Sequence, residues 1–326
     1  MTIADDFSPI YASPMDVETY RLLGLDQPAP TAVNGHSNRD VEASMNHPGD
    51  DAYQPCAEAY PGEEVPQGEI LNARDWRCDS YPDTVRRIWI YVPPGLQPGT
   101  EDVGLIQFND GQIYVSNKEA VRAASVLNSL HHSGEIRPTI GVFVMPGWPT
   151  SISQDHTEWT EGDWSKAAEQ RSIEYDSMRP DYGRFLLDEL LPYVEETAGV
   201  QLTSDPARRI CCGASSGGIA AFTCAWQFPD QFARVLSHVG SYTNIKGGHN
   251  YPYLVRTTPR KDIRVFLQSG KNDAATLFGD WALANQTMAN ALDYAGYDYR
   301  FEFGTGGHTI AHGGALFADS IRWLMR

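Results

Sequence analysis

Long apolar runs are missing from this sequence; no stretch approaches the roughly 20 residues that cross a bilayer. Basic residues are scarce, 25 Lys and Arg against 42 Asp and Glu in 326 residues, giving a formal net charge of −17. Such a surface repels phosphate backbones and anionic lipid, so neither nucleic acid nor membrane is an expected partner. Cysteine is sparse and unpatterned. Cys56, Cys78, Cys211, Cys212 and Cys224 form no CxxC pair and no zinc-ligand spacing, which argues against a disulfide framework or a structural metal site. The start, Met1-Thr-Ile-Ala-Asp-Asp, lacks the basic and apolar segments of a secretory leader. An odd thiol count without a leader points to a reducing, cytoplasmic compartment, although a mature secreted chain would look the same.

What is present is ordinary globular composition, 41% hydrophobic and 21% charged. Residues 1–62 are turn-rich, with Asp26-Gln-Pro-Ala-Pro, Asn34-Gly-His-Ser-Asn and His47-Pro-Gly-Asp-Asp around one short helical candidate, Met15 to Leu23. They read as an extension that wraps the body or reaches a partner. Residues 63–326 read as one domain in which strands alternate with helices. Thr84 to Val92 alternates at period two, Val103 to Phe108 reads as a second strand, and Thr139 to Met145 is fully apolar, as in a central parallel strand. Arg209 to Cys212, Val235 to Val239, Ile263 to Gln268 and Tyr299 to Phe303 continue the series. Helical spacing appears at Ala120–Leu130, Tyr182–Val194, Ser216–Gln227, Trp281–Tyr294 and Ala315–Leu324. This order predicts an α/β fold of α/β-hydrolase type, a mostly parallel central sheet with helices on both faces.

The chemistry centres on Gly213-Ala-Ser-Ser-Gly217. A serine hydroxyl needs a base to become a nucleophile, and a G-x-S-x-G turn between strand and helix holds it exposed over a helix N-terminus. Ser215 sits at the middle of that spacing; Ser216 is the competing hydroxyl. An orienting acid and then a histidine are expected after later strands. Asp273, in Ser269-Gly-Lys-Asn-Asp273, follows the Ile263 strand, with Asp280 as its rival. His308 follows the last strand within Gly304-Thr-Gly-Gly-His308-Thr-Ile-Ala-His312, and His312 is the alternative base or a pocket residue. The glycines around this His-x-x-x-His pair speak against a helical metal site. Oxyanion donors are expected from the N–H of Ser216 and from Gly111 or Gln112 in Asn109-Asp-Gly-Gln.

From about residue 68 the chain resembles the putative-esterase family, which includes enterochelin esterases, feruloyl esterases and mycolyl transferases. The shared marks are Phe108-Asn-Asp-Gly-Gln, Arg171-Ser-Ile-Glu-Tyr, Gly213-Ala-Ser-Ser-Gly-Gly and the Gly306-Gly-His308 loop. The resemblance implies an α/β-hydrolase with a Ser/acid/His triad, or a Ser/His pair with a weak acid, and it supports Ser215, His308 and Asp273. Enterochelin esterases proper carry a longer N-terminal β-domain, which residues 1–62 are too short and turn-rich to form. Family resemblance also places Arg171 and Glu174 at the site entrance, where a mutual ion pair is the alternative. His249, Tyr242 and Asn244 lie in a loop expected to overhang the site. Trp148, Trp159, Trp164 and Trp281 could stack on a phenolic or sugar ring, although packing is the commoner use of tryptophan. Thr150 to Arg171, polar and without periodicity, suggests a lid.

The expected activity is hydrolysis of a siderophore-, phenolic- or sugar-ester-like substrate through an acyl-enzyme on Ser215, with neither cofactor nor metal. Acyl transfer to an alcohol, lactone opening and a catalytically silent binding role remain alternatives. The expected partner is a small-molecule ester, and a homodimer is left open.

Overall fold

The computed structural model describes Ala32–Val33, His36–Ser37, Ser44–Met45 and residues 47–326. The helical candidate at Met15–Leu23 lies outside the described residues. Eight strands carry the fold: β1 (Glu69–Trp76), β2 (Thr84–Val92), β3 (Gly104–Asn109), β4 (Thr139–Val144), β5 (Arg209–Ala214), β6 (Arg234–His238), β7 (Arg264–Gly270) and β8 (Asp298–Gly304). With the short strand Trp148–Pro149 beside β2, they form a nine-stranded sheet in the order β8-β7-β6-β5-β3-β4-β2-β1. Neighbours from β8 to β4 are parallel, and β2 and β1 join antiparallel. The mostly parallel sheet expected from the sequence is present.

Every residue of β3 and β4 is buried, and alternate side chains feed two cores. Leu105, Cys211, Val235 and Leu267 face one core; Ile106, Phe108, Cys212, Leu236 and Phe266 face the other. Coverage of both faces explains why β4 reads as a near-continuous apolar run.

The helices are α1 (Gly111–Val115), α2 (Ala123–His132), α3 (Glu161–Tyr175), α4 (Asp181–Phe185, running on through Leu186–Leu190 and Leu191–Ala198), α5 (Ser216–Gln227), α6 (Tyr251–Thr257), α7 (Trp281–Tyr294) and α8 (Ala311–Leu324). The middle of α4 is a wide π turn just before Pro192, which has no N–H to return to the preceding turn. Helix α3 differs from the aperiodic lid expected at Thr150–Arg171. It starts at a capping box in which the Thr160 hydroxyl accepts the Asp163 N–H and the Asp163 carboxylate accepts the Thr160 N–H. Among the described residues, no helix is long and apolar enough to cross a membrane.

Candidate active site

The loops at the C-terminal ends of β3, β5, β6, β7 and β8 converge, as ligand sites do in open parallel sheets. Between β5 and α5, Ser215 adopts φ 57° and ψ −123°. This conformation costs a non-glycine residue on the order of 1–3 kcal/mol. The surroundings hold it: the Ser215 N–H bonds the His238 carbonyl at 2.9 Å, and the Ser215 carbonyl accepts the Ser241 N–H at 3.0 Å. A Cβ on Gly213 would stand 2.2 Å from the Gly217 carbonyl oxygen, and one on Gly217 2.9 Å from an Asp110 carboxylate oxygen. The two flanking glycines therefore let strand, turn and helix close around a half-buried serine.

His308 stands with Nε2 2.9 Å from Ser215 Oγ and Nδ1 2.6 Å from Asp273 Oδ1. Asp273 is enclosed and also takes the Ala274 N–H at 2.8 Å and the Ser269 hydroxyl at 2.6 Å. A carboxylate only accepts, so Nδ1 carries the hydrogen and Nε2 is left as an acceptor facing the serine. The rival acid, Asp280, instead caps α7 by accepting the Leu283 N–H at 2.9 Å. The rival base, His312, lies within α8, 3.2 Å from Gln268 Nε2 and stacked against Tyr53 at 4.1 Å. Burial lowers its pKa below the usual imidazole range.

The loop after β3 presses on this elbow. Asp110 takes φ 51° at the head of α1, placing Gly111 and Gln112 in its first turn. Asn109 Nδ2 donates to the Gly217 carbonyl at 2.8 Å, while Tyr182 Oη donates to Asn109 Oδ1 at 2.7 Å. Arg171 grips Asp110 with two bonds of 2.9 and 2.8 Å, and the Asp110 N–H reaches the Tyr175 hydroxyl at 3.2 Å. Helix α3 thus fixes the loop expected to supply an oxyanion donor. Ser216, the other expected donor, is buried at the start of α5.

Several expected pocket residues sit elsewhere. Arg171 and Glu174 do not pair with each other. Glu174 is buried on Arg86, with bonds of 2.9 and 3.1 Å, and also takes the Gly147 N–H at 3.1 Å. It holds β2 to α3 and has no free face for a substrate. Tyr242 is buried with its hydroxyl donating to Ser237 Oγ at 3.2 Å, an internal contact. His249 is exposed beside α6. Trp148 is buried with its indole N–H on Gln154, and Trp159 packs between His156 and the exposed Trp164. Trp281 does reach the site, edge-on to the His308 ring at 5.7 Å. Its indole N–H donates to Ser241 Oγ at 3.0 Å, and Ser241 Oγ is 3.2 Å from Ser215 Oγ.

A further contribution comes from Ser44 and residues 47–53. The Ser44 carbonyl accepts the His308 N–H at 2.9 Å, and the Tyr53 hydroxyl accepts the Thr305 N–H at 2.8 Å. Asp50 accepts the Thr309 hydroxyl at 2.9 Å and the Gly307 N–H at 3.2 Å. The glycines of the histidine loop permit this approach: a Cβ on Gly307 would lie 1.9 Å from the Ser44 carbonyl oxygen, and one on Gly304 2.1 Å from the Tyr53 hydroxyl. Sequence reasoning gave Ser241 no role, and although it read the turn-rich segment as wrapping the body or reaching a partner, it did not connect that segment with the histidine loop. The glycine density around His308 was the available signal, since a loop needs such openness where another backbone crosses it.

Fold and hydrogen-bonded geometry together define an α/β-hydrolase with a serine at its strand–helix elbow. The model of the putative esterase family matches residues 80–324, and the chain belongs to that family. It is 26% identical over 276 residues to the iron(III) enterobactin esterase of Dickeya dadantii, covering 80% of this chain and 56% of that one. To the Escherichia coli K12 iron(III) enterobactin esterase it is 24% identical, covering 71% of this chain and 53% of the relative. The chain therefore spans just over half the length of these relatives. Among solved structures it resembles the enterobactin esterase of Shigella flexneri in the presence of enterobactin, with TM-score 0.60, 20% identity and coverage of 85% and 62%. A ferulic acid esterase from the fungus Anaeromyces mucronatus aligns with TM-score 0.57 at 13% identity, covering 83% of this chain and 95% of its own.

Proposed function

We propose that this protein is a serine esterase that cleaves a carboxylic ester through an acyl-enzyme on Ser215. The observation that carries this is the continuous sequence Ser215 Oγ, His308 Nε2, His308 Nδ1, Asp273 Oδ1, with spacings of 2.9 and 2.6 Å. His308 takes the serine proton as Oγ attacks the ester carbonyl, and Asp273 holds the imidazole in the tautomer that leaves Nε2 free. The carbonyl π pair moves to oxygen, where the N–H groups of Ser216 and of Gly111 or Gln112 receive it. His308 then returns the proton to the departing alcohol. Water, deprotonated by the same imidazole, releases the acid. These steps are complete with the residues of the chain itself.

Membership of the putative esterase family supports ester cleavage, and relatives named for enterobactin and ferulic acid favour a siderophore-like or phenolic acyl group. Arg171, which grips the Asp110 loop, and Trp281, edge-on to His308, are the proposed substrate neighbours. Five unbridged thiols favour a reducing, cytoplasmic setting. The test is a fluorophosphonate probe followed by peptide mass spectrometry, run beside hydrolysis of catechoyl-serine, feruloyl and simple aryl esters. Labelling confined to Ser215, abolished together with turnover in Ser215→Ala, is the expected result; an unlabelled, inactive wild type would overturn the esterase assignment.

A further inference from the structure

We propose that Ser241 is a further catalytic residue, a hydroxyl that donates to Ser215 Oγ and aims the nucleophile's proton at His308. The proposal rests on Ser215 being the nucleophile, and its support is the direction of each hydrogen bond around that oxygen.

Start from the ends, where direction is not optional. Indole N–H only donates, so the 3.0 Å contact from Trp281 Nε1 makes Ser241 Oγ an acceptor there. A carboxylate only accepts, so the 2.6 Å contact at Asp273 Oδ1 makes His308 Nδ1 a donor. In neutral imidazole the other nitrogen then accepts, and the 2.9 Å contact at Nε2 takes the Ser215 proton. Each hydroxyl has one hydrogen. Ser215 has spent its own on His308, so in the 3.2 Å contact between the two serines Ser241 must be the donor. One polarity runs through five side chains: Trp281 to Ser241 to Ser215 to His308 to Asp273.

Position supports the assignment. Ser241 is 1% exposed, so water does not compete for its hydroxyl. Its N–H bonds the Ser215 carbonyl at 3.0 Å, and Asn285 Nδ2 holds the adjoining Gly240 carbonyl at 2.9 Å. Backbone and side chain are thereby anchored to the turn that carries the nucleophile.

The chemical consequence concerns charge on Oγ. During acylation the Ser215 O–H bond breaks, its proton goes to His308 Nε2, and an Oγ electron pair forms the bond to the acyl carbon. Negative charge grows on Oγ before that bond is complete, and the Ser241 hydrogen bond stabilises it there. In deacylation the carbon–Oγ bond breaks, the pair returns to Oγ, and His308 restores the proton. Ser241 keeps its own hydrogen in both steps.

The experiment compares full-length wild type, Ser241→Ala and Ser241→Cys by fluorophosphonate labelling rate, pre-steady-state acylation by a p-nitrophenyl ester, KM and thermal midpoint. Ser241→Ala should slow labelling and acylation by roughly 10- to 100-fold, less than the roughly 10²- to 10³-fold cost of losing an oxyanion-hole donor, with KM nearly unchanged. The weaker thiol donor of Ser241→Cys should give an intermediate rate, while the thermal midpoints of the two variants stay close to wild type, a separation of rate from stability that a packing role does not produce. Labelling of Ser241→Ala within twofold of wild type overturns the proposal; if that variant does not fold, a wild-type rate in Ser241→Cys does so. A wild type that itself fails to label at Ser215 defeats the esterase assignment instead, which keeps the two failures apart.

Discussion

Tyr53 lies flat against His312, ring centroids 4.1 Å apart and planes 16° from parallel, and this contact distinguishes His312, at the start of α8, from His308 in the glycine-rich loop. His312 is covered by Tyr53 and bonded to Gln268, whereas His308 faces Ser215. His308→Ala should therefore lose at least about a thousandfold in kcat on an aryl ester, and His312→Ala no more than about tenfold. Steady-state kinetics of the two variants decides the base, and the reverse order would reassign it.

Asp50 touches no reacting atom, yet its carboxylate holds Gly307 and Thr309 on either side of His308. Asp50→Ala should lower kcat by roughly 3- to 30-fold with KM little changed, because displacement of a base by even a fraction of an ångström is costly. Asp50→Asn keeps an acceptor oxygen and should recover most of the rate. Equal kcat in the alanine variant and wild type would show that the strap does not position the histidine.

Asp273 is held by two donors besides His308, so its amide analogue can occupy the same place. Asp273→Asn should fold normally, its amide oxygen kept on the Ala274 N–H and its NH2 turned to the Ser269 hydroxyl, but it brings no negative charge to stabilise the imidazolium that forms at His308. A loss of roughly 10²–10⁴ in kcat is expected. Transfer of the acid role to Asp280 would appear as near wild-type turnover.

Arg86 and Glu174 form an ion pair whose side chains are both fully enclosed. Removing one leaves a buried charge without its counter-charge, so Glu174→Ala should destabilise by about 3–5 kcal/mol. Arg86 also packs over the rings of Phe185 and Tyr81, which adds to the loss expected for Arg86→Ala. Urea unfolding followed by circular dichroism measures both.

His238 lies fully enclosed beneath the site, its Nδ1 3.0 Å from the Tyr114 hydroxyl. Burial, with nearby His312 adding, pushes its pKa down from 6.5 to about 3. Between those values the unfolded chain binds a proton that the folded chain refuses, so stability rises with pH across that window. The contribution is complete above the ordinary imidazole pKa and is lost as pH falls toward 3, a change on the order of 5 kcal/mol. His238→Asn should flatten this acid limb of the urea midpoint, and an unchanged slope would mean other groups set it.

Much of the fold was legible because its signals are local. Thr84–Val92 declares itself by alternation, and the apolar run at β4 by burial on both faces. The serine turn announces itself because close packing of strand against helix leaves room only for glycine at Gly213 and Gly217. Strand β1 was not read, since Glu69-Ile-Leu-Asn-Ala-Arg-Asp-Trp is an edge strand that mixes charges with its apolar residues. Helix α3 shows no apolar stripe, and only its Thr160–Asp163 box marks it. Glu174, Tyr242 and Ser241 were misplaced or missed for a different reason. Their roles depend on contacts with Arg86, Ser237 and Trp281 that sequence spacing does not encode.

The strap carries a consequence of timing. Tyr53 and Thr305 are 252 positions apart, and the hydrogen bonds between their segments seat the loop of His308. During synthesis the strap leaves the ribosome early and waits for β8, the last strand of the sheet. Before the two meet, Ser215 can already stand on its turn while its base is unplaced. Until its final strand is in register, the nascent chain therefore holds Ser215 without His308 beside it.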